Sequence, residues 1–127
     1  MDRTIVATDQ APAAAGPYSQ GVVVDGWLWT AGQVALDPAT GKLSGDDAAT
    51  QARRALRNLQ AVLESAGAGF ESVVRTTIYL TSMDDYPAVN EVYAGFFKEP
   101  YPARACVEVS RLPAGALVEI DAVARTH

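Results

Sequence analysis

Arg104 and Glu119 are the two residues of this sequence whose types could do chemistry together. An arginine guanidinium is planar and can bind a carboxylate through two parallel hydrogen bonds, and a glutamate in a partly desolvated cleft can act as a general acid or base. The same pair could equally form a structural salt bridge, and their spacing along the chain does not exclude that. Whether the pair does chemistry or forms a salt bridge depends on the strands and helices that position the two side chains.

The two residues lie in segments that the sequence predicts as paired strands. Residues 103–109 and 117–124 alternate small apolar residues with other types, and Arg-Leu-Pro-Ala-Gly at 111–115 suits a turn between them. Alternate side chains of a strand share a face, and the core faces of a hairpin must match. If the segments form a hairpin, Arg104 and Glu119 share the sheet face that points away from the helices.

Three further residues are candidates for a ligand site, and each has a simpler interpretation. Asn90 places an amide on the apolar stripe of a predicted helix, where an amide bonded to backbone is the commoner explanation. Tyr18 lies in Gly-Pro-Tyr-Ser-Gln-Gly, which by itself indicates a surface turn with an aromatic anchor. Cys106 has no histidine nearby to activate its thiol, so we interpret it as a small packing residue.

Two segments have the apolar periodicity of helices. The first is predicted from Asp46 to Ala66, with Ser44 and Asp47 resembling a capping box and Gly67 as the C-terminal glycine. The second begins after the cap residues 82–85, tolerates Pro87 in its first turn, and ends near Lys98 because Pro100 bars its continuation. The polar residues predicted for the outside of the first helix are Gln51, Arg54, Asn58 and Glu64.

The remaining segments are typical of strands. Residues 22–24 and 27–30 flank Asp25-Gly26, a pair that favours a type I′ hairpin. Residues 73–81 are rich in β-branched and aromatic types, with neither face plainly polar, and residues 4–7 could add an edge strand. The order of elements predicts an α+β fold in which two helices pack on one face of a mixed sheet, as a single domain over residues 1–127.

Composition disfavours several classes of function. Asp and Glu outnumber Lys and Arg 15 to 10, and the net charge of −5 argues against nucleic acid as a partner. The lone cysteine, Cys106, forms no internal disulfide, and no apolar run suits a signal peptide or a membrane span, so we expect a cytoplasmic protein. The single histidine, His127, is the last residue, and we expect no metal.

The predicted outer sheet face mixes apolar area with a few charges. Its apolar members are Cys106, Leu117, Val123 and Tyr79. Exposed apolar patches usually mark association surfaces, so this face predicts a homo-oligomer.

Five motifs in order resemble one known family. Pro102-Ala103-Arg104 followed by Glu119-Ile120 is the most specific part, and the likeness runs nearly from end to end. The sequence resembles the RidA family of reactive-intermediate deaminases, also called YjgF/YER057c/UK114. The motifs are Gly-Pro-Tyr-Ser-Gln-Gly at 16–21, Thr-Ala-Gly-Gln at 30–33, Asn90 with Tyr93 and Phe96-Phe97, Pro-Ala-Arg-Ala-Cys-Val-Glu-Val at 102–109, and Val-Glu-Ile at 118–120.

The resemblance implies a chorismate-mutase-like fold, a homotrimer with ligand clefts between subunits, and no cofactor. It also implies 2-iminobutyrate/2-iminopropanoate deaminase activity, which hydrolyses reactive enamine and imine intermediates from pyridoxal-phosphate enzymes to 2-oxo acids and ammonia. By similarity Arg104 binds the substrate carboxylate, and Glu119 orients or activates the attacking water. The residues implied to line the site are Tyr18, Ala31, Gly32, Asn90 and the backbone of Cys106.

One position departs from the family pattern. Many members carry a serine where this sequence has Ala31, so a hydroxyl expected near the ligand is missing, and Thr30 points to the opposite strand face. This departure leaves open an alternative, a non-catalytic trimer that binds small 2-oxo or carboxylic acids. A third possibility, ribonuclease activity as in some relatives, fits poorly with the acidic balance and the lack of an internal histidine.

Overall fold

Six strands form one mixed sheet, and two helices pack on one of its faces. The computed structural model describes residues 2–127, so Met1 of the predicted domain lies outside the described residues. The elements in chain order are β1 Thr4–Val6, β2 Gly21–Val24, β3 Trp27–Thr30, α1 Ala48–Ser65, β4 Val73–Leu80, α2 Tyr86–Ala94, β5 Ala103–Glu108 and β6 Val118–Arg125. This architecture confirms the predicted α+β class with both helices on one face.

The strand order across the sheet is β1-β2-β3-β6-β4-β5. β4 is therefore an interior strand, antiparallel to β6 on one side and parallel to β5 on the other. The predicted hairpin of the last two strands is wrong, because β4 lies between them. The physical reason is that α2 provides the crossover that a parallel neighbour requires, so β5 pairs with one edge of β4 and β6 takes the other.

The tight turn between β2 and β3 forms as predicted. Asp25 and Gly26 both have positive φ, 52° and 80°, which is the conformation of a type I′ turn. The hairpin places Leu28 in the core and leaves the alternate residues on the face without helices.

An apolar stripe crosses that uncovered face. Ile5, Val22, Trp29 and Val123 are successive partners across four neighbouring strands. Trp29 and Ile5 are each 56% exposed, which is high for large apolar side chains. Tyr79 of the predicted outer face also lies here, whereas Cys106 lies on the helix side, opposite the buried Ile78.

Helix α1 buries two amides that the sequence placed outside. Gln51 donates to the carbonyl of Gly45 and accepts from the backbone N–H of Leu117, at 3.0 and 2.8 Å. Asn58 donates to the carbonyls of Val34 and Leu36, at 3.1 and 2.8 Å. The prediction of an outward position for these two is wrong, because the loop before α1 folds back over the helix and brings backbone groups that need partners.

The ends of both helices differ slightly from prediction. Asp47, and not Ser44, is the N-cap of α1, since its carboxylate accepts from Thr50 N–H at 2.7 Å. Gly67 has φ of 74° just after the helix, as expected of a C-terminal glycine. α2 ends at Ala94 and not near Lys98, because the two following phenylalanines leave the helix to make edge contacts with Phe70 at 5.7 and 5.0 Å.

Across residues 2–127, neither helix combines the length and the apolar character needed to cross a membrane.

We predict that Asn58→Ala lowers the free energy of unfolding by roughly 2–4 kcal/mol, because two buried carbonyls and Arg54 lose a partner. Urea unfolding at one fixed protein concentration measures it. Gln60→Ala, on the same helix with an exposed hydrogen bond to Arg57, is the matched control and should stay within about 0.5 kcal/mol of wild type. Equal losses for the two variants would contradict the prediction.

Candidate functional site

Arg104 points from β5 towards helix α2. It lies opposite Thr76 of β4, whose side chain is buried beneath the helices. Its Nη1 donates to Oδ1 of Asn90 at 2.8 Å, and its Nη2 donates to the hydroxyl of Tyr86 at 2.6 Å. The guanidinium carbon also lies 4.8 Å from the centre of the Tyr93 ring, within cation–π distance. Three side chains of one helix therefore fix this cation.

The spacing of those three side chains explains how one helix holds Arg104. Tyr86, Asn90 and Tyr93 occupy positions i, i+4 and i+7, which share a helix face. Tyr93 is fixed in turn by a buried 2.8 Å hydrogen bond between its hydroxyl and that of Thr76. Burial raises the pKa of Tyr93, so its ring stays neutral beside the cation.

A cavity of about 370 Å³ opens beside the guanidinium. Within residues 2–127 the one contact at salt-bridge distance joins Glu71 and His127, so Arg104 has no acidic partner there. A half-buried cation held by neutral groups favours an anion as its ligand. The residues that line the cavity are Asn90, Tyr93, Ala94, Tyr101, Pro102 and Arg104.

Glu119 belongs to a second group of residues, on β6. Its neighbours Val118 and Ile120 are fully buried under the helices, so Glu119 points to the opposite face of the sheet. The segment at Gly32 crosses close to it and is held by two backbone hydrogen bonds between Gln33 and Ile120, at 2.8 and 3.0 Å. A Cβ on Gly32 would lie 2.5 Å from Oε2 of Glu119, so a side chain at position 32 would displace the carboxylate.

The protonation of Glu119 is shifted towards the neutral form. Burial raises the pKa of its carboxyl above the ordinary value of 4.5, and the nearby Asp121 carboxylate raises it further. Asp121 in turn accepts a hydrogen bond from the hydroxyl of Tyr79 at 3.0 Å. A carboxyl with a raised pKa is suited to both accepting and returning a proton.

The prediction that Arg104 and Glu119 share a face is wrong. Arg104 lies opposite Thr76 of β4, and Glu119 lies opposite Tyr79 of the same strand. Thr76 and Tyr79 are an odd number of residues apart and so face opposite sides. The structural salt bridge between Arg104 and Glu119 is absent from residues 2–127 for the same reason.

Of the other predicted site residues, two lie near Arg104, one lies in the second group, and Tyr18 lies in the loop before β2. Asn90 contacts Arg104, and Cys106 follows Arg104 on the same strand face; burial raises the pKa of the Cys106 thiol, in keeping with a packing role. Ala31 precedes Gly32 in the second group, and its N–H donates to the carbonyl of Gln20 at 2.9 Å. Tyr18 is 55% exposed in the loop that ends at Gln20, and its hydroxyl accepts from Ala15 N–H at 3.2 Å.

Two kinds of residue at the site escaped prediction. Tyr86 and Tyr93 were not predicted as contacts of Arg104, although their spacing from Asn90 was the signal that all three meet one partner. Gln20 is buried and bonds both backbone groups of Thr8 at 2.6 and 3.0 Å, which shapes the Tyr18 loop. Among the described residues 2–127, no three His, Cys, Asp or Glu side chains converge as metal ligands would.

Comparisons with known proteins agree on one family. The model of the family described as endoribonuclease L-PSP matches residues 8–126. A RutC family protein of Synechocystis is 52% identical over 126 residues, covering 98% of this chain and 97% of the relative. Human 2-iminobutanoate/2-iminopropanoate deaminase is 43% identical over 122 residues, covering 96% and 89%. TdcF of E. coli, solved with bound serine, superposes with a TM-score of 0.91 at 38% identity, covering 98% and 99%.

We predict that Asp121→Asn moves the titration midpoint of Glu119 to lower pH, because a negative charge that disfavours ionisation is removed. Carbon-detected NMR of the side-chain carboxyl as a function of pH measures this midpoint. Glu91→Gln removes an exposed carboxylate from the helix layer and should leave the Glu119 midpoint in place. An unchanged midpoint in Asp121→Asn would show that burial alone causes the shift.

Proposed function

The chain belongs to the RidA family, and from this membership we propose that it hydrolyses 2-iminobutanoate and 2-iminopropanoate to 2-oxo acids and ammonia. We place this activity in the cytoplasm, without a cofactor, where imines and enamines released by pyridoxal-phosphate enzymes would be its substrates. The lone cysteine fits a reducing compartment.

The observation that carries the proposal is the half-buried Arg104 without an acidic partner among residues 2–127. A guanidinium has five N–H donors, of which Asn90 and Tyr86 accept from two, so three remain for a ligand. A carboxylate is the anion that this planar donor binds through two hydrogen bonds. A 2-imino acid carries that carboxylate next to the carbon that reacts.

The opposite orientations of Arg104 and Glu119 argue for a site made by two copies of the chain. We assign Arg104, Asn90 and Cys106 to one subunit of a homotrimer, and the second group to its neighbour. The stripe of Ile5, Val22, Trp29 and Val123 supports this assembly, because a second copy would cover its apolar area. The neighbour's group is Tyr18, Ala31, Gly32 and Glu119.

In this cleft Glu119 acts as the general base and acid. It takes a proton from water as the water oxygen bonds to C2 of the protonated imine, and the C=N electron pair moves to nitrogen. Glu119 then returns the proton to nitrogen, the C–N bond breaks and ammonia leaves. The remaining hydroxyl loses its proton as C=O forms, and ammonia takes up that proton as ammonium. The raised pKa of Glu119 suits both transfers.

A second candidate function rests on Ala31. Without a hydroxyl at this position, the trimer could bind small 2-oxo or carboxylic acids at Arg104 as a sensor or scavenger without turning them over. The two functions differ in one measurement: 2-oxobutyrate binding without acceleration of imine hydrolysis supports the binder and contradicts the hydrolase.

We predict that Arg104→Ala lowers kcat/KM on the order of 100-fold or more and abolishes 2-oxobutyrate binding, because the carboxylate loses its cation. Glu119→Gln should lower kcat by about 100-fold or more and largely spare binding. Imine generated by threonine dehydratase, with semicarbazide competing for it, gives the rate. The exposed Arg53→Ala on α1 is the control and should match wild type.

Mixing the two inactive variants tests the shared cleft. After unfolding and joint refolding at equal amounts, about one quarter of all clefts in the random mixture combine an intact Arg104 of one chain with an intact Glu119 of the next. Activity should therefore return to about that fraction of wild type. No recovery, with mixed trimers demonstrated by mass spectrometry, would place both residues in one subunit's site and overturn the assignment.

We predict that Ala31→Ser raises kcat/KM about tenfold, because a hydroxyl beside Gly32 adds a hydrogen bond to a charged ligand. The same coupled assay measures it. Ala39→Ser, at an exposed turn position, adds a hydroxyl elsewhere and should have no effect. Equal rates for Ala31→Ser and wild type would show that the missing hydroxyl does not limit this chain.

A further inference from the structure

The hydroxyl of Tyr86 makes a short contact with the cation of the site. It accepts from Nη2 of Arg104 at 2.6 Å, while Asn90 accepts from Nη1 at 2.8 Å. These acceptors hold the two ends of the guanidinium fork, and the Tyr93 ring lies against it at 4.8 Å. An arginine side chain has many rotamers, and each contact reduces the number available before a ligand arrives.

Tyr86 is also linked to β5 through the turn that precedes it. It is the first residue of α2 and is followed by Pro87, whose ring fixes φ at the helix start. The short 3₁₀ turn Met83–Asp85 leads into it, and Met83 N–H donates to the carboxylate of Glu108, at the end of β5, at 2.7 Å. The strand that carries Arg104 is thus tied at its end to the start of the helix that carries Tyr86.

We propose that Tyr86 is a positioning residue whose hydroxyl sets the plane of the Arg104 guanidinium so that its free N–H groups meet the ligand carboxylate. This inference deepens the proposed function and rests on it. It separates the role of Tyr86 from that of Asn90, because each accepts from a different nitrogen. If either the Asn90 oxygen or the Tyr86 hydroxyl is removed, the Arg104 guanidinium is held by one hydrogen bond and can rotate about it.

The hydroxyl can be removed without removing the ring. The Tyr86 ring centre lies 5.6 Å from the guanidinium carbon, so Tyr86→Phe keeps this stacking contact and removes only the acceptor. Thr126→Val is the matched control. It removes a half-buried hydroxyl that donates to the carbonyl of Gly26 at 3.1 Å. Gly26 lies in the turn before β3, and β6 and β4 separate β3 from β5 in the sheet.

Calorimetric titration with 2-oxobutyrate is the first measurement. Tyr86→Phe should raise Kd about tenfold, with the melting temperature and the assembly state unchanged, and Thr126→Val should leave Kd as in wild type. In turnover, Tyr86→Phe should raise KM more than it lowers kcat, since carboxylate binding is affected first. A Kd within about twofold of wild type would overturn the proposal.

A double-mutant cycle shows whether Tyr86 acts through Arg104. In the Arg104→Lys background the fork is gone, so adding Tyr86→Phe should change Kd no further. Full additivity of the two effects would overturn the positioning role. NMR of the Arg104 guanidinium gives an independent readout: rotation about the C–Nη2 bond should be faster in Tyr86→Phe than in wild type, and unchanged rotation counts against the proposal.

Failure of the proposed function gives a different result. If the wild type binds 2-oxobutyrate without accelerating imine hydrolysis, the hydrolase is wrong, while a weaker Kd in Tyr86→Phe still supports the positioning role. If the wild type does not bind 2-oxobutyrate, both proposals are overturned.

Discussion

The interior position of β4 in the sheet determines where the side chains of Arg104 and Glu119 lie. Because β5 is its parallel neighbour, α2 must cross from one end of the sheet to the other between them, and this crossover lies over Arg104. Because β6 is its other neighbour, Glu119 is placed two strands away from Arg104 and on the opposite face. The pairing of β4 with β5 and β6 thus places α2 beside the Arg104 guanidinium and separates that guanidinium from the Glu119 carboxylate.

The separation gives each group the environment it needs. Arg104 lies among neutral acceptors and aromatic rings, which stabilise a cation and leave its charge available to a ligand. Glu119 lies near Asp121 and close to Gly32, where ionisation is disfavoured. Had the two side chains been neighbours, an ion pair between them would have occupied donors of the guanidinium and lowered the pKa of the carboxyl.

Local features of the sequence predicted much of this fold. Apolar periodicity located both helices, and Asp25-Gly26 located the hairpin, because these signals depend on neighbours in the chain. Strand pairing depends on distant segments, so the face of Arg104 could not follow from alternation within β5 alone. The burial of Gln51 and Asn58 was hidden for a similar reason, since the backbone groups they satisfy belong to loops elsewhere in the chain. The family motifs supplied the candidate site residues, and they left Tyr86 out.

The close approach of Gly32 to Glu119 links the identities of two residues that are distant in the chain. A side chain at position 32 fits beside Glu119 only if the carboxylate of Glu119 moves from its observed place. In a relative with a short side chain at position 119, a Cβ at position 32 would not meet this contact. The two positions should therefore vary together among related chains.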